Sequence, residues 1–284
     1  MTPVGRRIVD DLLAAYRVGR HLILLFDYDG TLVPIAEHPR LARLDRPGHR
    51  LLQRLAGQPR VHIGIISGRR LDELKEVLCL SNLCLAGTSG LEIELYGLRL
   101  VHPKARQARV FIEEIAHRVA VQLAAFPGAW LEDKGLGFTV HYRHTPPQWI
   151  GRLRAQIRAT LLRETLEPFS PGLRSIEGPM ALEVTPELGW NKGTAVSMIA
   201  RHLRPCNYAL LYAGDSANDA EGLKAAIALG GIGIGVGPDA PCVAQCSLPD
   251  AKAVHELLVD LEYNLSALTK PADRAPTCRQ RGIA

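Results

Sequence analysis

The residues able to do chemistry in this chain cluster where apolar runs break off. Residues 22–26 are followed by Asp27, Tyr28, Asp29, Gly30 and Thr31, Val61–Ile66 by Ser67, Gly68 and Arg69, and residues 209–213 by Gly214, Asp215, Asn218 and Asp219. Lys192 stands just before a further helical stretch. In an open α/β sheet the carboxyl ends of the strands line the ligand crevice, so these groups are expected on one edge. Carboxylates gathered there repel one another unless a cation lies among them. No Cys or His occurs in the three segments, and an oxygen-only donor set suits magnesium better than zinc. Asp27, Asp29 and Asp215 are the expected metal ligands, with Asp219 supporting them from behind.

Asp27 is placed to attack phosphorus, forming an aspartyl-phosphate and dividing one hard hydrolysis into two easier steps. Asp29, two residues on in a chain still roughly extended, is placed to protonate a leaving alkoxide and later to deprotonate the attacking water. Lys192 offsets charge on the transferring group, whose oxygens Thr31, Ser67, Gly68 and Arg69 are expected to hold through side chains or nearby N–H groups. Taken singly, each piece has an ordinary structural reading. Asp-Gly is a turn dipeptide, Ser-Gly-Arg an N-cap or loop, and Lys192 a solvated helix start. Their ordered combination is what points to phosphoryl transfer.

Positioning such groups requires buried parallel strands, and the hydropathy pattern supplies them. Ile8, Leu12, Leu13 and Tyr16 mark an opening helix; Leu51, Leu52 and Leu55 mark another, with Pro47 in its first turn. Short apolar runs at 22–26, 61–66, 83–86, 209–213 and 231–236 read as strands, and helical stretches start near Gly193 and cover 218–229. This alternation predicts an α/β fold, a doubly wound parallel (Rossmann-like) sheet with right-handed crossovers. The middle differs. A helix over 106–126, strands at 129–133 and 136–143, a helix over 147–166, and strands at 173–177 and 180–185 repeat an αββ unit. That unit predicts an inserted α+β cap, an open antiparallel sheet with helices on one face. Strand alternation then turns Leu182 and Val184 toward the helices and Glu183 to the open face, while Glu132 and Lys134 share a face of their own strand. The expected organisation is a catalytic core from residues 1–104 and 187–268, a cap from 105–186 and a disordered tail over 269–284.

Composition narrows the partners. The 284 residues suit one large domain or a core with a smaller second one. Of the net charge of +5, +3 lies in the tail, where Lys270, Arg274, Arg279 and Arg281 face only Asp273. With 5% aromatic residues and a nearly balanced body, no nucleic-acid surface is expected. No apolar run approaches a membrane span and the start of the chain lacks a signal pattern, so no membrane partner and a cytoplasmic location are expected. The six cysteines show neither CxxC nor zinc-site spacing and read as small buried residues plus one tail thiol.

DYDGT, ISGR, NKG and GDSANDAE, in that order, resemble the four motifs of the haloacid dehalogenase-like phosphotransferases. Within that superfamily, residues 131–135, 140–143 and 181–184 resemble the cap motifs of the trehalose-6-phosphate phosphatase family. The resemblance implies a magnesium-dependent phosphatase that releases trehalose through an aspartyl-phosphate, and it implies Glu132, Lys134 and Glu183 on the disaccharide. Glu132 and Lys134 read equally as a surface ion pair; Arg143 reads as a phosphate or sugar contact or as a structural ion pair, and His141 as a packed or supporting residue. A sugar phosphate as small-molecule partner, a trehalose-phosphate synthase in the same pathway and a monomeric state are further expectations. Two departures stand out. The family's fourth motif has the form GDDxTDE, and it commonly carries His where Ser89 stands here. They leave open a phosphatase of another sugar or glycoside phosphate, or a non-catalytic regulatory protein that binds one.

Overall fold

The strand that ends at Asp27 lies in the middle of a large sheet. The computed structural model describes residues 1–166, 170–178, 180–203 and 207–269. In chain order the first part holds α1 (Pro3–Arg17), β1 (His21–Phe26), α2 (Arg46–Ala56), β2 (Val61–Ile66), α3 (Leu71–Leu78), β3 (Leu83–Gly87), β4 (Glu92–Leu95) and β5 (Leu98–Val101). The middle holds α4 (Pro103–Leu123), β6 (Trp130–Asp133), β7 (Phe138–His141), α5 (Pro147–Leu166), β8 (Leu173–Gly178) and β9 (Ala181–Pro186). The last part holds α6 (Lys192–Leu203), β10 (Tyr208–Gly214), α7 (Ala220–Ala228), β11 (Ile232–Val236), β12 (Cys246–Leu248) and α8 (Ala251–Thr269). Among these described residues, an eight-stranded sheet runs β12-β11-β10-β1-β2-β3-β4-β5, and a separate four-stranded sheet runs β6-β7-β9-β8.

Parallel pairing holds from β12 to β3, and β4 and β5 turn antiparallel at the edge. β1 is apolar throughout its length because both faces of the sheet are covered. Leu22, Leu24 and Phe26 pack with α1, α2, α3 and α8, while Ile23 and Leu25 pack on the other side with α6 and α7. Each such side chain, taken out of water, contributes roughly 1.5–3 kcal/mol. Two helices of the first layer start at designed stops: Thr2 and Asp45 accept from the N–H groups of Gly5 and Gly48, with proline in the first turn of each helix. The smaller sheet is wholly antiparallel and packs one face on α4 and α5 through Phe138, Val140, Leu182 and Val184.

Several elements go beyond the sequence reading. The hairpin β4–β5 turns at Tyr96 and Gly97, both left-handed, and its short strands alternate Glu92, Glu94 and Arg99 with Ile93, Leu95 and Leu100, a two-residue period outside the expected elements. α3, β12 and α8 were likewise unassigned. The helix expected from 106 starts at Pro103, where His102 caps it, and the one expected from 218 starts at Ala220 after a single 3-10 turn, Ala217–Asp219. Thr269 closes α8, and residues 270–284 of the expected tail lie outside the described residues. Cys79 and Cys242 are exposed rather than packed, whereas Cys84 is buried. No described helix is long and apolar enough to cross a membrane.

Candidate active site

β1, β2 and β10 end side by side, so the segments that follow them meet at the carboxyl edge of the large sheet. Asp27 follows β1 directly, and its N–H donates to the Ala213 carbonyl in β10 (2.9 Å). Lys192, at the start of α6, sends its ammonium to Asp27 Oδ1 at 2.7 Å and to Asp219 Oδ1 at 2.8 Å. Asp27, Asp215 and Asp219 are buried and offer carboxylate oxygens within 4.8 Å of one another. Asp219 is fixed from below: the Tyr212 hydroxyl donates to Oδ1 at 2.5 Å, and the Ser216 N–H and hydroxyl donate to Oδ2 at 3.2 and 3.3 Å. Gly30, with φ at +86°, passes so near that a Cβ there would lie 2.1 Å from Asp215 Oδ2, which restricts the position to glycine.

The electrostatics of this group are unbalanced. Burial raises the Asp27 carboxyl well above its ordinary range against the pull of Lys192, and burial together with the nearby Asp219 charge raises Asp215 to about 6. Burial alone would lower Lys192, but the Asp219 and Asp27 carboxylates outweigh it and keep the ammonium charged. When all are ionised, three carboxylates against one ammonium leave two negative charges uncompensated among hard oxygen donors. These residues fit a divalent hard cation.

Asp29 lies on the same edge but its side chain is turned onto Arg69. Its two oxygens accept from Arg69 Nη2 and Nε, both at 2.7 Å. Arg69 also donates to Glu73 Oε1 (2.8 Å) and the Pro39 carbonyl (2.6 Å), so the guanidinium expected on phosphate is committed to the chain itself. Ser67 and Gly68 line the cavity beside Asp27. Thr31 is fully buried, is absent from the cavity lining, and its hydroxyl has no hydrogen-bond partner.

Across a cavity of about 200 Å³ stands the open face of the smaller sheet. Glu132 on β6, Thr139 on β7 and Glu183 on β9 are in register and form one polar row away from α4 and α5. His141 Nε2 lies 2.8 Å from Glu132 Oε2, and although burial would raise Glu132, His141 and Lys134 hold its carboxyl down to about 2. Lys134 is only 7% exposed, makes no side-chain hydrogen bond among the described residues, and lines the cavity near Glu132, whose carboxyl its charge helps to hold down. Arg143 is exposed and donates to the Ala36 carbonyl at 3.4 Å.

Structure thus brings Asp27, Asp29, Ser67, Gly68, Arg69, Lys192 and Asp215 to one wall of a cavity whose other wall carries Glu132, Lys134, Arg143 and Glu183. Sequence reasoning missed Thr139, Trp130, His38 and Tyr212. The two-residue period carried a signal for Thr139, since Phe138 and Val140 face the helices. No local signal exists for the others: Trp130 is stacked between His38 and His141, with centroids 4.9 and 4.2 Å apart, and Tyr212 is aimed at Asp219 by the packing of β10.

Known proteins resemble this chain in sequence and in fold. The trehalose-phosphate phosphatase of Mycolicibacterium paratuberculosis is 30% identical over 211 residues, 73% of this chain and 52% of that protein, so the chain spans about half the length of the curated relatives it matches. The C. albicans trehalose-6-phosphate phosphatase C-terminal domain has the same fold, with a TM-score of 0.78, 24% identity, and coverage of 90% of this chain and 96% of that one. So does the C-terminal domain of the Candida albicans trehalose synthase regulatory protein, at TM-score 0.67, 13% identity, and 89% and 97% coverage. Residues 25–236 match the sequence model of the trehalose-phosphatases. Because that match runs from the last two residues of β1 through the smaller sheet to the end of β11, the chain belongs to the trehalose-phosphatase family.

Proposed function

We propose that this chain is a magnesium-dependent phosphatase that hydrolyses trehalose 6-phosphate to trehalose and phosphate. The observation that carries the reading is a single cavity with Asp27, Asp215 and Lys192 on one wall, Asp219 buried behind them, and a row of polar side chains on the other. Asp27 and Asp215 would hold the ion, with Asp219 supporting them from behind, and once bound it would offset charge on the phosphoryl oxygens. Asp27, held against rotation by Lys192, attacks phosphorus as the bond to the sugar oxygen breaks. Asp29, once rotated off Arg69 and protonated from solvent, gives that proton to the leaving alkoxide and then takes one from the water that cleaves the aspartyl-phosphate and restores Asp27. Ser67 and the 67–69 backbone cradle the phosphoryl oxygens, while Glu132, Lys134, Thr139 and Glu183 take the sugar hydroxyls.

Phosphate release from a panel of sugar phosphates, with magnesium and with excess chelator, tests this reading. Release is expected to be fastest from trehalose 6-phosphate and to vanish with chelator. Faster release from another sugar phosphate moves the substrate to that compound, the reading favoured by Ser89 and by the altered fourth motif. No release from any member assigns the chain to the regulatory class that shares this fold.

Chemistry in one wall and recognition in the other make a second expectation. Lys134→Ala lowers kcat/KM for trehalose 6-phosphate by roughly 10- to 100-fold, because the hydrogen bonds of a charged group are lost. Hydrolysis of a small aryl phosphate, which has no array of hydroxyls, changes by less than about threefold. Parallel losses on both substrates would place Lys134 in the core chemistry instead.

A further inference from the structure

Glu183 belongs to the smaller sheet, yet its carboxylate is held from the larger one. Oε1 accepts from the Ser89 hydroxyl at 2.5 Å, and Oε2 accepts from Asn218 Nδ2 at 2.9 Å. Ser89 lies in the 3-10 turn Thr88–Gly90 after β3, and Asn218 in the turn after β10, so the two donors come from separate strand ends. The first turn is strained. Thr88 and Ser89 are consecutive non-glycine residues with φ at +46° and +54°, a costly backbone that persists only where its surroundings enforce it. That enforcement is visible: Thr88 N–H donates to the Arg69 carbonyl at 2.7 Å and Ser89 N–H to the Ser67 carbonyl at 3.0 Å. The strained turn therefore grips the 67–69 loop through its backbone and Glu183 through its hydroxyl. Gly68 fits beneath, where a Cβ would lie 3.2 Å from Glu183 Oε2 and 3.4 Å from Lys134 Nζ.

We propose that Ser89 and Asn218 are positioning residues that orient the Glu183 carboxylate and latch the two sheets together, so that sugar recognition is complete only in the closed arrangement. A carboxylate has about four lone-pair directions. With two taken by Ser89 and Asn218, the remainder are pre-aimed at the cavity, and a preorganised acceptor binds hydroxyls without first losing rotamer freedom. Separating the sheets breaks both bonds at once and frees the side chain. The recognition half of this inference rests on the trehalose 6-phosphate reading; the latch does not.

Ser89→Ala is expected to raise KM for trehalose 6-phosphate about tenfold, the loss of one hydrogen bond to a charged acceptor, while kcat on p-nitrophenyl phosphate stays within about twofold. In a Glu183→Ala background the same substitution adds nothing, because Ser89 acts through that carboxylate. Ser89→Gly provides a second variant that removes the hydroxyl and relaxes the left-handed backbone, and it is expected to behave alike. Additive losses in the double variant, or equal losses on both substrates, overturn the proposal. If the wild-type chain releases no phosphate from trehalose 6-phosphate, the functional reading fails by itself, and small-angle X-ray scattering on the full chain then decides the latch. The Ser89→Ala/Asn218→Ala variant, folded by circular dichroism, should show a larger radius of gyration than wild type. An unchanged radius overturns the latch whatever the substrate is.

Discussion

Asp27→Asn should abolish phosphate release, by at least about 10⁴-fold, in a protein that still folds. An amide of the same shape keeps the contacts at the end of β1, including the backbone bond to Ala213, so the fold loses little. What it loses is charge and nucleophilicity. The amide does not attack phosphorus, and one of three carboxylates that lie within 4.8 Å of one another is neutralised. Removing a negative charge from a buried, crowded set also relieves repulsion with Asp215 and Asp219, so the apo variant should be at least as stable to heat as wild type. Magnesium, by contrast, should raise its melting temperature less than it raises that of wild type, since stabilisation by a ligand follows its affinity for the native state. Residual turnover above about one hundredth of wild type would remove Asp27 as the nucleophile.

Lys192→Met should cost both activity and stability. The ammonium is buried and bonded to Asp27 and Asp219, and methionine fills similar space with no charge. Removing one member of a buried ion pair leaves uncompensated charge and typically costs about 3–5 kcal/mol, far more than the pair contributes relative to an apolar replacement of both. The variant is therefore expected to unfold at markedly lower urea concentration at neutral pH, with turnover down by about 10³-fold, from lost phosphoryl charge stabilisation and a misplaced Asp27. Combining it with Asp27→Asn gives the sharper test. Neutralising Asp27 removes part of the charge that Lys192 balances, so the double variant should be more stable than Lys192→Met alone. If Asp27→Asn changes stability by the same amount in the wild-type and Lys192→Met backgrounds, the lysine acts through packing rather than through charge.

Much of this architecture was legible before folding was considered. Continuous apolar runs such as 22–26 can be buried only with both faces covered, which identified the parallel strands and hence the residues at their ends. Alternation in β9 identified Glu183 as facing away from Leu182 and Val184, because a strand's side chains alternate whatever it packs against. The hairpin β4–β5 was missed although Glu92, Glu94 and Arg99 alternate with Ile93, Leu95 and Leu100 about the two-residue turn Tyr96-Gly97, a period-two pattern only a few residues long.

Residue types and their place after each strand determined which groups could take part in phosphoryl transfer, because strand ends follow from local periodicity. The partnerships among those groups were decided only by tertiary structure. Asp27 and Lys192 are 165 residues apart along the chain, and nothing local couples them. Asp29 was expected among the metal ligands, yet its carboxylate faces Arg69, while Asp219, expected in a supporting place, lies fully buried near Asp27 and Asp215 with its oxygens accepting from Lys192, Tyr212 and Ser216. A shift of one side-chain rotamer moves a carboxylate by several ångströms on the order of a hydrogen-bond length, and such rotamers are selected by packing and by the nearest opposite charge. Ser89 and Asn218 show the same physics across the seam between the sheets, where two unremarkable residue types acquire a role because folding aims both at one carboxylate.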